Sequence, residues 1–364
     1  MRAGIQADDL TGACDTAAVF AARGLETLVL LPGAPLPAAG PPVVVLDTES
    51  RALPAAEARA RALAAVAQLA AAQPGLLYKK VDSTLRGAVG AELEGALAGA
   101  GRGQALLAPA FPAQQRTVID GLLRLGGQPA SPTAMGGDPG LPPTGASVLA
   151  LLARDGPRPV RLLPLATVRR GGAAVAACLA RMDGAVVADA ETAADLAVVA
   201  EATDERSLVA GSAGLAAALA ARLVPVAAPP PLRPRRPLLV VAGSAHPVTR
   251  SQVTRLEARG GRSIGPPPGT AAPARDVIAS RLAEAARREL EGTPVATLVL
   301  TGGETAYSVC RALGATGVRV AGELEPGLAL GALVGGSFTG LAVITKAGGF
   351  GDPDTLVRIW ESCQ

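Results

Sequence analysis

Three apolar runs in the last third of this 364-residue chain, LLVVAGSA, ATLVLTGGET and LAVITKAGGFG, each stop at a turn of small residues. A short run of valine, leucine and isoleucine cut off by glycine reads as a strand buried on both faces, and such strands belong to parallel sheets covered by helices. Each turn then lies at the carboxyl end of its strand, where open α/β sheets hold phosphates and nucleotides on backbone N–H groups. The chain contains neither G-x-x-x-x-G-K-[ST] nor G-x-G-x-x-G. It therefore carries neither the P-loop nor the dinucleotide fingerprint.

The length is large for one hydrophobic core and comfortable for two, which predicts two domains. A formal charge of +3, with no long basic run and no interleaved aromatics, argues against nucleic acid as a partner. No charge-free apolar stretch reaches the roughly 18 residues of a membrane span. The N-terminus MRAGIQADDL enters a motif almost at once, which predicts no signal peptide and a cytoplasmic protein. Cys14, Cys178, Cys310 and Cys363 are widely spaced and His246 is the single histidine. Reduced buried thiols and no structural zinc site are expected; metal chemistry would use oxygen ligands and a hard ion such as Mg²⁺.

Short Val/Leu-rich runs alternate with Ala-rich stretches of helical length, so the predicted fold is α/β. Two domains are expected, each a largely parallel sheet flanked by helices, with the active site in the cleft between them. Strands are predicted at 26–31, 43–47, 76–81, 105–108, 185–189 and 207–210, then at 238–242, 296–300, 319–321 and 341–345. Helices are predicted between them, among them 12–23, 55–72, 88–98 and 305–313. Consecutive prolines in VPVAAPPPLRPRRP sustain neither helix nor central strand, so residues 224–237 read as a linker between domains 1–223 and 238–364. The Gly/Pro-rich stretch 126–145 is a long functional loop or a lid.

Candidate chemistry falls at strand ends. In QADDLTGACDTA, Asp8, Asp9 and Asp15 surround a helix start, and capping needs only one such residue. Carboxylates there could fix hydroxyls, accept a proton or help hold Mg²⁺. In YKKVDSTLRG, Lys79, Asp82, Ser83 and Arg86 cluster about a turn. Arg86 in a first helical turn opposes the helix dipole, which an anionic partner would explain. Pro109 and Pro112 in LLAPAFPAQQRTV present Phe111, Gln114 and Arg116. In the last third, Ser244 and His246, then Gly302, Gly303, Glu304 and Thr305, then Gly348 and Gly349, occupy the three glycine turns. Three such turns point to close backbone approach by a ligand, whereas a lone histidine is more often structural.

Together the motifs resemble the four-carbon acid sugar kinase family. ADDLTGACDTA, KKVDSTLRG, APAFPAQQRTV, VVADAETAADL, GSAGLAAALA, GSAHPVT, LTGGETA, PGLALGALVGG and ITKAGGFGD occur in family order over nearly the whole chain. The resemblance implies an N-terminal domain for the sugar acid, a C-terminal domain for ATP, and phosphate transfer to the terminal hydroxyl of threonate, erythronate or 3-oxo-tetronate. It implies Asp8, Asp9, Asp15, Lys79, Asp82, Ser83 and Arg86 on the acid side. Ser244, Gly302, Gly303, Glu304, Thr305, Gly348 and Gly349 fall on the nucleotide side. The chain departs from the family pattern at His246, in GSAH where GSCS is usual, at Ala88 and at Gln115.

On this reading Asp82, Asp8 or Asp9 is the base and Arg86 clamps the carboxylate. The alternatives are a non-catalytic nucleotide-binding protein and a lyase or dehydrogenase acting on the same hydroxy acids. A homodimer is the base-rate expectation.

Overall fold

The computed structural model describes residues 1–130, 147–204, 206–223, 232–244, 246–266 and 275–363. Most of the predicted loop 126–145, and residues 224–231 of the predicted linker, lie outside them. The chain forms two compact units, one of Met1–Asp8 with Pro42–Val226, the other of Asp9–Pro41 with Ala227–Gln364.

The first unit is built on seven parallel strands in the order Val43–Asp47, Ala3–Ala7, Leu76–Lys80, Ser207–Gly211, Gln104–Ala108, Gly184–Ala188 and Val160–Leu163. Its inner strands are buried along almost their whole length, which is why they read as apolar runs rather than alternating ones. Helices Ala55–Ala71 and Val89–Ala100 pack on each other, as do Ala193–Glu201 and Ala213–Arg222. Gly95 and Gly99 let the first pair approach closely, since a Cβ at either would overlap the Arg59 or the Leu63 carbonyl, while Val66 and Leu69 are buried in the core. The strand Ala3–Ala7 is absent from the sequence expectation because Gly, Gln and Ala carry little strand signal. Its buried Gln6 is satisfied: Nε2 donates to Ala7 O at 3.0 Å and to Thr48 Oγ1 at 2.9 Å. The proline turn after Gln104–Ala108 leads into an antiparallel hairpin, Arg116–Ile119 with Leu122–Leu125.

In the second unit four parallel strands, Arg262–Ile264, Leu238–Ala242, Thr297–Thr301 and Ala342–Lys346, continue into three antiparallel ones, Leu328–Val334, Gly317–Glu323 and Thr27–Leu30. Residues 9–41 thus group with the C-terminal part of the chain, whereas the sequence boundary places them in the N-terminal domain. The physical reason is long-range pairing. Thr27–Leu30 runs antiparallel to Gly317–Val320 in register, and helix Leu10–Ala21, rich in small residues and buried nearly all round, packs against Gly317–Glu323 and helix Gly303–Ala312. A proline-rich stretch marks a covalent boundary, but strand pairing across some 290 residues leaves no local signal.

Candidate functional site

At the carboxyl end of the first unit's sheet, charges alternate. Asp8 follows its strand directly, and both carboxylate oxygens accept from Arg51, from Nε at 2.7 Å and Nη2 at 3.0 Å. Its backbone carbonyl accepts from Ser50 N and Arg51 N, which fixes the loop that carries the arginine. Burial would raise the Asp8 pKa, but the charges of Arg51, Lys79 and Lys80 outweigh it and hold the carboxyl below the ordinary range. Lys79, fully buried, lies 2.6 Å from Glu92 Oε2 and donates to the Lys80 carbonyl at 2.7 Å. Burial pushes the Glu92 carboxyl up in spite of Lys79.

Asp82 accepts from Arg86 Nε at 2.7 Å, from Arg86 Nη2 at 3.0 Å, from the Arg86 backbone N at 3.2 Å, and from the Thr84 hydroxyl. Arg51 Nη2 stands 4.0 Å away. Burial opposes ionisation here too, yet Arg86 and Arg51 prevail and hold the Asp82 carboxyl well below the usual range. These bonds brace a turn in which Leu85 takes a left-handed φ of 61°. A carboxylate so strongly stabilised in its charged form is a poor proton acceptor. Ser83 is buried beside it.

Of the expected acid-side residues, Asp8, Lys79, Asp82, Ser83 and Arg86 belong to the first unit, while Asp9 and Asp15 fall in the second. Arg116 stands at the start of the hairpin, where it donates to Gln114 Oε1 at 3.2 Å and to the Gln114 carbonyl. Sequence reasoning missed Arg51 and Glu92. The polar string DTESR after strand Val43–Asp47 was a signal for Arg51, whereas Glu92 looks like any carboxylate on a helix.

In the second unit the three glycine turns come together, because Ala242 pairs with Thr301 and Thr301 with Lys346 in adjacent parallel strands. Gly302 N donates to Lys346 O at 2.9 Å. Helix Gly303–Ala312 starts with no side-chain cap, Glu304 exposed in its first turn and Thr305 buried. The N–H groups of a helix's first turn suit an anion. A Cβ on Gly348 would overlap Ser244 Oγ, and one on Gly303 would overlap Asp9 Oδ2, so a side chain at either place would displace that oxygen. Asp9 caps helix Leu10–Ala21 by accepting from Gly12 N at 2.9 Å and Thr11 Oγ1 at 2.7 Å. His246 is itself a helix cap: its Nδ1 accepts from Val248 N at 3.2 Å, and Gly349 lies against the other side of the ring. Thr249 Oγ1 donates to Gly348 O at 2.6 Å.

Lys346 locks this loop. Fully buried, its Nζ donates to the carbonyls of Ala347, Gly348 and Phe350 at 3.0, 3.1 and 3.0 Å, and burial lowers its pKa to about 7. Below pH 7 the folded protein carries a buried charge. Between about 7 and the ordinary lysine value near 10 the unfolded chain binds more protons than the folded one, so this group makes stability rise with pH. We expect a slope of up to about 1.4 kcal/mol per pH unit in that window, flattened in Lys346→Met, read by urea unfolding across pH 6.5 to 10. Equal slopes in the two proteins would show that Lys346 does not titrate there.

Among the described residues no group of three His, Cys, Asp or Glu side chains is placed to hold a metal ion, and no described helix is long and apolar enough to cross a membrane. A single carboxylate beside a glycine cradle does fit Mg²⁺, which is commonly held by one or two carboxylates together with ligand phosphates. Asp9, against Gly303, is that carboxylate.

Residues 3–219 match the family model of a sugar-binding N-terminal domain, and residues 263–356 match that of a nucleotide-binding C-terminal domain. The chain is 36% identical to the D-threonate kinase of Bordetella bronchiseptica, covering 98% of this chain and 96% of the relative. It is 32% identical to the D-erythronate kinase of Heliobacterium modesticaldum, covering 96% and 94%. A crystal structure from Bordetella bronchiseptica, described as a domain of unknown function with bound citrate in a domain-swapped dimer, covers 100% of both chains at 32% identity and a TM-score of 0.54.

Proposed function

Because the chain belongs to the four-carbon acid sugar kinase family and is a sugar-acid phosphotransferase, we propose that it transfers the γ-phosphoryl group of ATP to the terminal hydroxyl of D-threonate in the cytoplasm, as a homodimer. The observation that carries the nucleotide half is the meeting of three glycine turns at one level of the second unit's parallel strands, with Asp9 against Gly303. The sugar acid then belongs to the first unit, whose sheet ends in the buried Asp8, Lys79 and Asp82 with the half-buried Arg86. The choice of D-threonate follows the name of the Bordetella relative, and that of a homodimer the dimeric description of the Bordetella crystal structure.

Phosphoryl transfer is chiefly positioning and charge stabilisation. Mg²⁺, when bound with the nucleotide, supplies neutralisation of phosphate charge, and Asp9 would hold it. The N–H groups of Gly303 and Glu304 donate to phosphate oxygens, and the Gly348–Gly349 loop, held by Lys346 and Thr249, keeps side chains away from them. In the first unit the polar cluster orients the acceptor hydroxyl. Asp82, tied to Arg86, serves as a positioning residue. Release of ADP from Mg-ATP should follow addition of D-threonate, with D-erythronate, the L-epimers and the 3-oxo-tetronates as comparisons. No ADP release with any of these acids would sink the reading.

A further inference from the structure

Lys80 ends the central strand Leu76–Lys80, where its neighbours are the last residues of two other strands: Gly211 is its direct partner, and Gln6 pairs with Lys79 beside it. Side chains alternate along a strand, so Lys80 leaves the sheet on the face opposite Lys79. The residue is only 4% exposed. The other cations of the cluster are each tied to a carboxylate: Lys79 to Glu92, Arg51 to Asp8 and Arg86 to Asp82. Among the described residues, Lys80 alone in this cluster has neither an ion pair nor a hydrogen bond from its ammonium. Its charge reaches Asp8 only through space.

An ammonium with no carboxylate partner, at the end of a nearly buried side chain, suits an anionic group of a ligand. A compact point charge suits a single carboxylate, and the carboxyl ends of parallel strands are where such sheets bind ligands. We infer that Lys80, rather than Arg86, is the residue that receives the carboxylate of the sugar acid. Arg86 already directs Nε and Nη2 at Asp82, whereas Lys80 is committed to no carboxylate. The assignment rests on the proposed function and names the residue that selects an acid over the corresponding neutral polyol.

The test is calorimetric binding of D-threonate and of its neutral isostere D-threonamide to the wild-type protein, Lys80→Met and Lys80→Arg, followed by steady-state kinetics. Removing a charge-assisted contact should weaken D-threonate about 30-fold in Lys80→Met, with the loss appearing in KM. Threonamide affinity should be unchanged, and Lys80→Arg should recover part of the acid affinity. Melting temperature and Mg-ADP binding check the fold, and Lys80→Gln replaces the methionine variant should that one fail to fold. Equal D-threonate affinity in wild type and Lys80→Met would overturn the assignment alone. So would a loss confined to kcat, which would place Lys80 on the transferred phosphoryl group. No D-threonate binding by the wild-type protein would overturn the substrate reading and this assignment with it.

Discussion

Asp82→Asn should destabilise the first unit by about 2–3 kcal/mol, the usual cost of unpairing charged hydrogen bonds in a partly buried pair. The carboxylate is 10% exposed and receives two guanidinium bonds, one backbone bond and one hydroxyl bond. Asparagine keeps the shape but offers a single acceptor oxygen, so one arm of Arg86 loses its partner and the left-handed turn at Leu85 loses part of its brace. The effect must depend on pH in one direction. Because the folded Asp82 pKa lies well below the unfolded value, the contribution is complete above about pH 4 and is lost as pH falls through the folded pKa. Urea unfolding at pH 7 and at steps down to pH 2.5 should therefore show the two proteins converging in acid. A constant gap across that range, or a gap below 1 kcal/mol at neutral pH, would mean that the pair contributes through packing rather than charge.

How much of this was legible in the sequence depended on whether the determining interaction is local. The glycine turns after Ala242, Thr301 and Lys346 were readable because apolar strand and small-residue stop lie side by side, and parallel pairing then brings the turns to one level. The DSTLR turn was readable because its ion pair spans four residues. Arg51 was not, since its carboxylate lies 43 positions away. The same holds for helix Leu10–Ala21, whose composition suits burial anywhere and whose partners are fixed only by pairing of Thr27–Leu30 with the C-terminal part of the chain. Lys346 was visible as a residue of the KAGGFG turn, but three carbonyls folding back on its ammonium is a property of the closed loop. Likewise, Lys79 and Lys80 look alike in sequence. Only the structure separates the one paired with Glu92 from the one without such a partner.

Gly303→Ala should abolish at least 99% of kcat/KM while leaving the protein as stable as before. Gly303 is the first residue of its helix and has no left-handed φ, so alanine fits the backbone and gains about 1 kcal/mol of helix propensity. The added methyl group, however, would overlap Asp9 Oδ2. Asp9 has to swing away, which weakens the cap on helix Leu10–Ala21 at a cost of about 1 kcal/mol. The two stability terms nearly cancel, and what remains is displacement of a carboxylate from the phosphate-facing turn, where a shift of about 1 Å costs on the order of 100-fold in rate. Asp9→Asn, which leaves the cap acceptor in place but removes the charge, should lose activity to a similar degree. Melting temperature and ADP release measured on both variants separate the possibilities. Activity within twofold of wild type in Gly303→Ala would mean that the position of Asp9 is immaterial to catalysis, and an equal fall in melting temperature and activity would mean that the glycine serves folding alone.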